Sequence, residues 1–225
     1  MEAPAPGRPD VGAGDRGGLM PQVRKPDVDR RIRDAALQRF AADGYEPTSM
    51  GSIAATAQVA TGNLYRYYPD GKRQLFETVV TEELADTLGT LTRERVGALM
   101  LPLDDTGGHG PEAAQLLDFW SDHRLEVVVL LDRAAGTRFA AHGERFTRLL
   151  VDLAVERLRA DGTEPDPTTR HLLRTIFDGT RRALVAILEH HEDRQAIRHA
   201  IGGFWAYQLP GLDGFHRWST GTRPA

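Results

Sequence analysis

Cysteine is absent from the 225-residue chain. This excludes disulfide scaffolds, thiolate zinc sites, iron–sulfur clusters and thiol redox sensing. The chain also lacks an apolar run near the ~18 residues of a membrane span, and its N-terminus has no apolar signal-peptide region. Adjacent His190 and His191 point to different faces of a helix and do not suit a shared ion. We therefore expect a cytoplasmic protein with no membrane partner, metal or other cofactor.

The chain also lacks an overall excess of positive charge, since the formal net charge is −4 at pH 7. A function in nucleic-acid binding must therefore rest on a local basic patch. The segment from Arg24 to Leu75 provides one, because it holds nine Lys/Arg against six Asp/Glu, a local net charge of +3. The rest of the chain is correspondingly acidic, so this segment is the part that would turn toward DNA.

Apolar residues, by contrast, are plentiful enough for a core, at 40% of the chain. Their spacing is helical almost throughout, which predicts an all-α fold. The apolar run Val127–Leu131 also suits a buried strand, but its helical flanks and the lack of a partner strand favour a helix. Residues 1–26, rich in Pro, Gly and Asp, are predicted to form a disordered tail.

The helices are short at first and longer afterwards. Helical spacing starts at Asp29, and Gly44 fits the position just past the first helix. A second short helix follows an N-cap at Thr48 or Ser49, and a third covers "TGNLYRYY" until the turn Pro69-Asp70-Gly71. Longer helices are predicted at 72–99, 112–122, 124–135, 143–160, 167–191 and 194–208, with a loop at 101–111.

The second and third helices are joined by a turn of three or four residues, which indicates a helix-turn-helix at about 49–68. At 100° per residue, Leu64 and Tyr68 lie on one side of the third helix. Together with Val59 in the turn, they are predicted to be the packing face.

The opposite side of the third helix carries groups that suit DNA. Asn63 and Arg66 can read base edges in a major groove, and Gly62 lets the backbone come close. Tyr65 and Tyr67 are placed on the two flanks, where their hydroxyls suit phosphates. The alternative is a solvated amphipathic helix with half-buried tyrosines.

Two further groups frame this surface. Thr48 is predicted to bring a hydroxyl and a helix N-terminus to the DNA backbone. Lys72, just past the turn, is expected to meet a phosphate.

At these residues the sequence resembles the TetR family of bacterial transcriptional regulators over about residues 28–76. The matching parts are "I-x-x-A-A-L-x-x-F-x-x-x-G-Y" from Ile32, "TSMGSIA" from Thr48, "A-Q-V-A-T-G-N-L-Y-R-Y-Y" from Ala57 and "K-R-Q-L" from Lys72. An ordered series of this length is far more specific than a helix-turn-helix spacing alone.

The resemblance implies a set of DNA contacts. They are Thr48, Thr61, Asn63, Tyr65, Tyr67 and Lys72. Arg66 occupies a position that varies in such proteins, so we expect it to help set operator preference. The chain departs from the family at Gln58, where glycine is usual, at Ala60, where serine is usual, and through Gly71, which lengthens the turn by one residue.

The resemblance also implies a mode of action. Such proteins are homodimers that bind palindromic operators, usually repress, and are released from DNA when a small-molecule effector binds a C-terminal helical domain. We accordingly expect a DNA-binding domain at 27–86, a regulatory and dimerisation domain at 87–208 and a C-terminal tail at 209–225.

The last two long helices, 167–191 and 194–208, are those that pair across the dimer as a four-helix bundle in the resembling family. Small residues along them allow helices to approach closely. These are Gly179, Ala183, Gly202 and Gly203. The alternative is that both helices only close the core of the monomer.

An effector pocket is predicted among the middle helices, with aromatic walls and two polar anchors. Its candidate residues are Phe119, Trp120, His123, Arg133, Phe139, Phe146 and Phe177. Each of them also suits a plain core. Arg133 needs an acidic partner, for which Asp118, Asp132 or an acidic ligand would serve.

Catalytic motifs do not stand out. The sequence has no G-x-S-x-G, P-loop, Rossmann glycine set or H-E-x-x-H. The alternative to a regulator is an all-helical enzyme or small-molecule-binding protein without a DNA-binding role. The face carrying Asn63 and Arg66 distinguishes them, because only a regulator needs it.

Overall fold

The computed structural model describes residues 26–99 and 110–221. Within these ranges the chain forms α-helices, one π-helical turn and connecting turns, with no strand, so the predicted all-α class is confirmed. The predicted tail at 1–26, apart from Pro26, and most of the predicted loop at 101–111 lie outside the described residues. No helix in the described ranges has the length and apolar character needed to cross a membrane.

The first four helices form a small bundle around one core. They are α1 (Pro26–Asp43), α2 (Met50–Ala57), α3 (Thr61–Tyr67) and α4 (Lys72–Val79). Phe40 and Phe76 meet edge-on at 5.2 Å between ring centroids, and Tyr45 packs on Phe76 at 4.9 Å. This aromatic cluster joins α1 to α4 and so holds the bundle closed.

The predicted helix at 72–99 is wrong as a single helix. It ends at Val79 and a new helix, α5 (Glu82–Leu99), begins after Val80, which is extended. The amide of Leu84 donates to Thr81 Oγ1 at 3.2 Å, and two glutamates occupy the first turn of α5. A threonine followed by Glu82 and Glu83 is a helix-start signal that the apolar spacing alone concealed.

The second part of the chain contains the longer helices. They are α6 (Pro111–Asp122), α7 (Arg124–Val128), α8 (His142–Ala160), α9 (Pro167–His190) and α10 (Arg194–Ser219). The predicted helix at 124–135 changes to a π-helical turn at Val129–Arg133, where it ends. The apolar run Val127–Leu131 is fully buried, and its helical assignment is confirmed.

The predicted end of the last helix at 208 is wrong. Helix α10 continues through Pro210 to Ser219, so most of the predicted tail at 209–225 is helical. Proline removes one helical hydrogen bond, but Leu209, Leu212 and Phe215 continue the apolar face and pack against the core. Burial of that face outweighs the local cost of the proline.

The π turn joins the two parts of the molecule. Tyr45 N donates to Arg133 O at 2.9 Å, and Arg181 Nη1 on α9 donates to Leu131 O at 2.7 Å. Helix α8 passes so close that a Cβ on Gly143 would lie 2.1 Å from Leu131 O. The π turn is thus held between α1, α8 and α9.

Gly143→Ala should destabilise the protein by about 2–4 kcal/mol, because its methyl group would overlap the Leu131 carbonyl and push α8 from the π turn. Chemical denaturation measures the effect. Gly89→Ala is the matched control, since its Cβ would meet only the flexible end of Arg93 at 3.6 Å. The control should gain about 0.5–1 kcal/mol as an alanine in a helix interior. Equal stability of the two variants would contradict the close approach.

Candidate nucleic-acid interface

Helix α2 is held at both ends. Ser49 is its N-cap: Ser49 Oγ accepts from Ser52 N at 3.0 Å and Ser52 Oγ accepts from Ser49 N at 3.1 Å, a reciprocal capping box. At the other end Gln58 has φ 54° and ψ 47°, a left-handed conformation that favours glycine. Arg31 Nη2 donates to Ala57 O at 2.5 Å and to Gln58 O at 3.2 Å. The arginine therefore steadies a turn that lacks the usual glycine.

Helix α3 has one buried and one exposed side. Leu64 is fully buried and Tyr68 nearly so, which confirms the predicted packing face. Tyr68 Oη also donates to Asp29 Oδ1 at 2.7 Å, which ties α3 to α1. Tyr65 is 51% exposed and Arg66 is exposed.

The N-terminal turn of α3 is also accessible. Thr61 and Gly62 are exposed, and Asn63 is half-buried. A Cβ on Gly62 would meet no atom within 4 Å, so this part of the helix is open to a large partner. Its outward side therefore combines a bare backbone with hydroxyl, amide and guanidinium groups.

The placement of Tyr67 on an exposed flank is wrong, because this side chain is only 2% exposed. At 100° per residue Tyr67 lies 60° from Leu64. Helix α1 and the rest of the bundle cover an arc wide enough to bury Leu64, Tyr67 and Tyr68 together. Tyr67 therefore belongs to the core, and Tyr65 is the tyrosine of α3 that faces outward.

The placement of Thr48 is also wrong. Its side chain is 3% exposed, and Oγ1 donates to Gly44 O at 2.7 Å and to Arg39 O at 3.2 Å. The hydroxyl thus closes the end of α1 and points inward. Ser49, which the sequence analysis offered as the alternative cap, is the exposed residue at the start of α2.

Lys72 lies where expected, at the start of α4, but its ammonium group faces the protein. Nζ donates to Tyr45 O at 2.8 Å, Glu46 O at 3.0 Å and Thr48 O at 2.8 Å. It also lies 4.3 Å from the centroid of the Tyr45 ring. Burial lowers the pKa of Lys72, and the charge of Glu46 opposes that shift. All three ammonium donors are used within the chain, in place of the phosphate expected from the sequence.

This helix-turn-helix coincides with a known domain. Residues 32–79 match the family model described as bacterial regulatory proteins, tetR family. Residues 32–79 therefore form a DNA-binding domain of the TetR type. The chain is a DNA-binding transcription regulator and not an enzyme.

Full-length relatives agree with the domain match. The chain is 29% identical to the HTH-type transcriptional repressor KstR of Mycolicibacterium smegmatis over 150 residues, which span 66% of this chain and 71% of that protein. It is 31% identical to the HTH-type transcriptional regulator BetI of Burkholderia cenocepacia over 114 residues, or 45% of this chain and 58% of BetI. The second alignment therefore spans little more than half of that relative.

Solved structures include a TetR-like transcriptional regulator from Rhodococcus sp. RHA1, at 22% identity and a TM-score of 0.41, with 88% of this chain and 96% of that one covered. A TM-score this low carries no argument about the present chain, whose architecture is described from its own helices.

The longer helices of the second part line two adjoining cavities. The larger, of about 740 Å³, lies between α8, α9, α10 and the end of α5, and the smaller, of about 90 Å³, lies between α5, α6, α8, α9 and α10. Among the predicted pocket residues, Phe177 borders both cavities, and Trp120 and Phe146 border the smaller. Leu209, Leu212 and Phe215 of α10 also line the larger cavity. They were not among the predicted pocket residues, because the last helix was predicted to end at 208.

Four of the predicted pocket residues border neither cavity. Arg133 pairs with Asp132 and Glu189 at 2.7 Å each, so its acidic partners are structural. His123 packs against Phe119 with ring centroids 4.8 Å apart, and Phe139 packs against Phe76 at 6.3 Å. These four residues lie in α6, between α6 and α7, in the π turn and in the turn before α8. They are away from the cavities that α10 lines.

Lys72→Met should reduce the free energy of unfolding by about 1–3 kcal/mol, because it keeps the side-chain length but removes the donor from three carbonyl groups. Arg73→Met is the matched control. Arg73 is exposed and forms a loose surface ion pair with Glu77 at 3.7 Å, so the control should change stability by less than about 0.5 kcal/mol. Urea denaturation compares the two variants. If Lys72→Met were as stable as the control, the capping role of Lys72 would be wrong.

Proposed function

We propose that the chain is a homodimeric repressor that binds a palindromic operator and is released from it by a small-molecule effector. The observation that carries this proposal is the two-sided character of α3. Leu64 and Tyr67 of this helix and Tyr68 directly after it are buried. Tyr65, Arg66 and the bare backbone at Gly62 are exposed. A helix so anchored presents a fixed set of groups to a major groove.

The proposed contacts fall into two classes. Asn63 and Arg66 read base edges, because an amide and a guanidinium are the groups that pair with adenine and guanine. Thr61 and Tyr65 donate hydroxyls to phosphates on either side. Ser49 replaces Thr48 at the start of α2, since its side chain is exposed there.

The second copy is proposed to bind through α9 and α10. Large exposed hydrophobic side chains among the described residues are Tyr65, Tyr207 and Trp218, and the last two lie on α10. Tyr207 is 81% exposed and stands one turn from Gly203, while Gly179 is exposed on α9. A surface that combines exposed aromatic rings with glycines suits the close packing of a helix bundle.

The effector is proposed to occupy the larger cavity, and the π turn to transmit its effect. Helix α9 lines that cavity through Leu173 and Phe177. The same helix holds the π turn through Arg181, and the π turn holds Tyr45 at the end of α1. A ligand that shifts α9 would therefore move the DNA-binding bundle, provided that it favours the shifted state.

In this proposal residues 27–86 bind DNA, and the helices that follow regulate DNA binding. The boundary between the two parts lies inside α5, because this helix starts at Glu82. The site of action is the cytoplasm, where the operator is.

Arg66→Ala should weaken binding to the preferred operator by about 1–3 kcal/mol and relax preference at one base position, because a bidentate base contact is lost. The operator is obtained by selection from random DNA with the wild-type protein, and affinities are measured by fluorescence anisotropy. Arg148→Ala on α8 is the control, since Arg148 is exposed and pairs with Glu144. Unchanged affinity and base preference of Arg66→Ala would refute the proposed recognition face.

Tyr207→Glu should convert the dimer to a monomer, because a carboxylate would be buried in the proposed interface. Light scattering after size exclusion should give about twice the 24.8 kDa chain mass for the wild type and for the control Tyr207→Phe, and one chain mass for Tyr207→Glu. A monomeric wild type, or a dimeric glutamate variant, would count against this interface.

A further inference from the structure

The two cavities of these helices adjoin one another. They share lining residues from four helices, which are Val96, Leu150, Phe177, Trp205, Leu209 and Leu212. The shared residues are apolar, so a ligand that fills the larger cavity has to bury a mainly hydrocarbon body. The smaller cavity, at about 90 Å³, has room for only a small group at the end of that body.

A buried arginine borders the smaller cavity. Arg95 on α5 is 4% exposed, and its guanidinium lies 4.8 Å from the centroid of the Trp205 ring. Its Nε is buried without an acceptor. Among the residues that the structure describes, no carboxylate oxygen lies within 4 Å of a guanidinium nitrogen of Arg95. The ion pairs formed by the described residues all involve other arginines or histidines.

Other basic side chains at the larger cavity are paired within the chain. Arg157 Nε lies 3.0 Å from Asp161 Oδ2, and His216 Nε2 lies 3.0 Å from the same oxygen. Arg95 differs from Arg157 and His216 because no carboxylate among the described residues pairs with it. Burial lowers the pKa of Arg95, and the charge of Glu112 on α6 opposes this shift. A guanidinium stays charged in proteins, so a buried one that contacts no carboxylate among the described residues is costly until an anion reaches it.

A second donor beside the same cavity also lacks an acceptor. Trp120 borders the smaller cavity, and its indole Nε1 is buried with no hydrogen-bond partner among the described residues. An indole N–H only donates. Two unsatisfied donors around one small space call for a group that only accepts, and a carboxylate is such a group.

We propose that the effector is an amphipathic carboxylate, such as a medium-chain fatty acid, whose head group binds Arg95 in the smaller cavity and whose hydrocarbon body fills the larger one. This inference rests on the proposed function, in which an effector occupies these helices. It adds the chemical class of the effector and the residue that selects it.

The test compares three ten-carbon probes by isothermal titration calorimetry on the full chain: decanoate, decan-1-ol and decylamine. Decanoate should bind about 10- to 100-fold more tightly than decan-1-ol, as expected for charge-assisted hydrogen bonds to a buried guanidinium. Decylamine should bind most weakly, because it would place a second cation beside Arg95. Equal affinity for the acid and the alcohol would overturn the proposal, without the need for any variant.

Arg95→Gln should lose the preference for decanoate and keep its affinity for decan-1-ol. Arg93→Gln is the matched control, because Arg93 lies two residues away on α5 and is exposed. Decanoate should raise the Tm of the wild type and of the control, and leave that of Arg95→Gln unchanged. Retention of the preference in Arg95→Gln would overturn the assignment. Arg95→Lys, which keeps the charge but loses the planar fork, should bind decanoate with intermediate affinity and provides a second measurement if the glutamine variant does not fold.

DNA binding is measured separately, so that the two proposals can fail independently. Decanoate should release the wild type and Arg93→Gln from the selected operator, and should not release Arg95→Gln, which still binds that DNA. A protein that binds no DNA but prefers decanoate through Arg95 would refute the proposed function and leave the effector class standing. A protein that binds the operator but does not prefer decanoate would do the reverse.

Discussion

The backbone of one π turn is the joint on which the rest of the molecule depends. Leu131 O accepts from Arg181 on α9, and Arg133 O accepts from the amide of Tyr45 at the end of α1. Helix α8 comes close enough only because Gly143 has no side chain. The N-terminal bundle and the longer helices therefore meet partly through backbone atoms of the π turn, in addition to the side-chain contact of Phe76 with Phe139. These backbone atoms cannot be repositioned without moving the helices themselves. A joint of this kind transmits displacement better than a layer of adaptable side chains would.

The recognition helix gains its order from this bundle and not from its own sequence. Seven residues are too few for a stable helix in isolation. Burial of Leu64, Tyr67 and Tyr68 against the other helices sets both the existence of α3 and its rotation about its axis. Lys72 adds to this order by holding the carbonyls between α1 and α2. The outward groups of α3 are therefore preorganised for a groove, which reduces the entropy lost on binding.

The regulatory helices combine two opposite requirements in one space. In the proposed effector site, the apolar cavity of about 740 Å³ would bind a hydrocarbon body, and such binding discriminates weakly between similar ligands. The buried guanidinium of Arg95 beside the smaller cavity would discriminate by charge, at a cost to the stability of the unliganded protein. The same helices carry the exposed Tyr207 and Trp218. The proposed effector site and the proposed dimer surface are thus two sides of α9 and α10, so a ligand has a short path to the arrangement of the dimer.

Much of the architecture could be predicted from the sequence, because it depends on contacts between residues near one another in the chain. The spacing of Ile32 and Phe40, the position of Gly44 and the packing face at Leu64 are local features of this kind, and the ordered motif from Ile32 to Lys72 indicated the family. Tertiary structure alone decided which arc of α3 is covered by the other helices, and this arc places Tyr67 in the core. It also turned Thr48 inward, continued α10 past Pro210, and gave Arg133 structural partners while leaving Arg95 facing a cavity. Helical spacing shows which side of a helix is apolar, but the width of the buried arc and the partner of each polar group depend on helices distant in sequence.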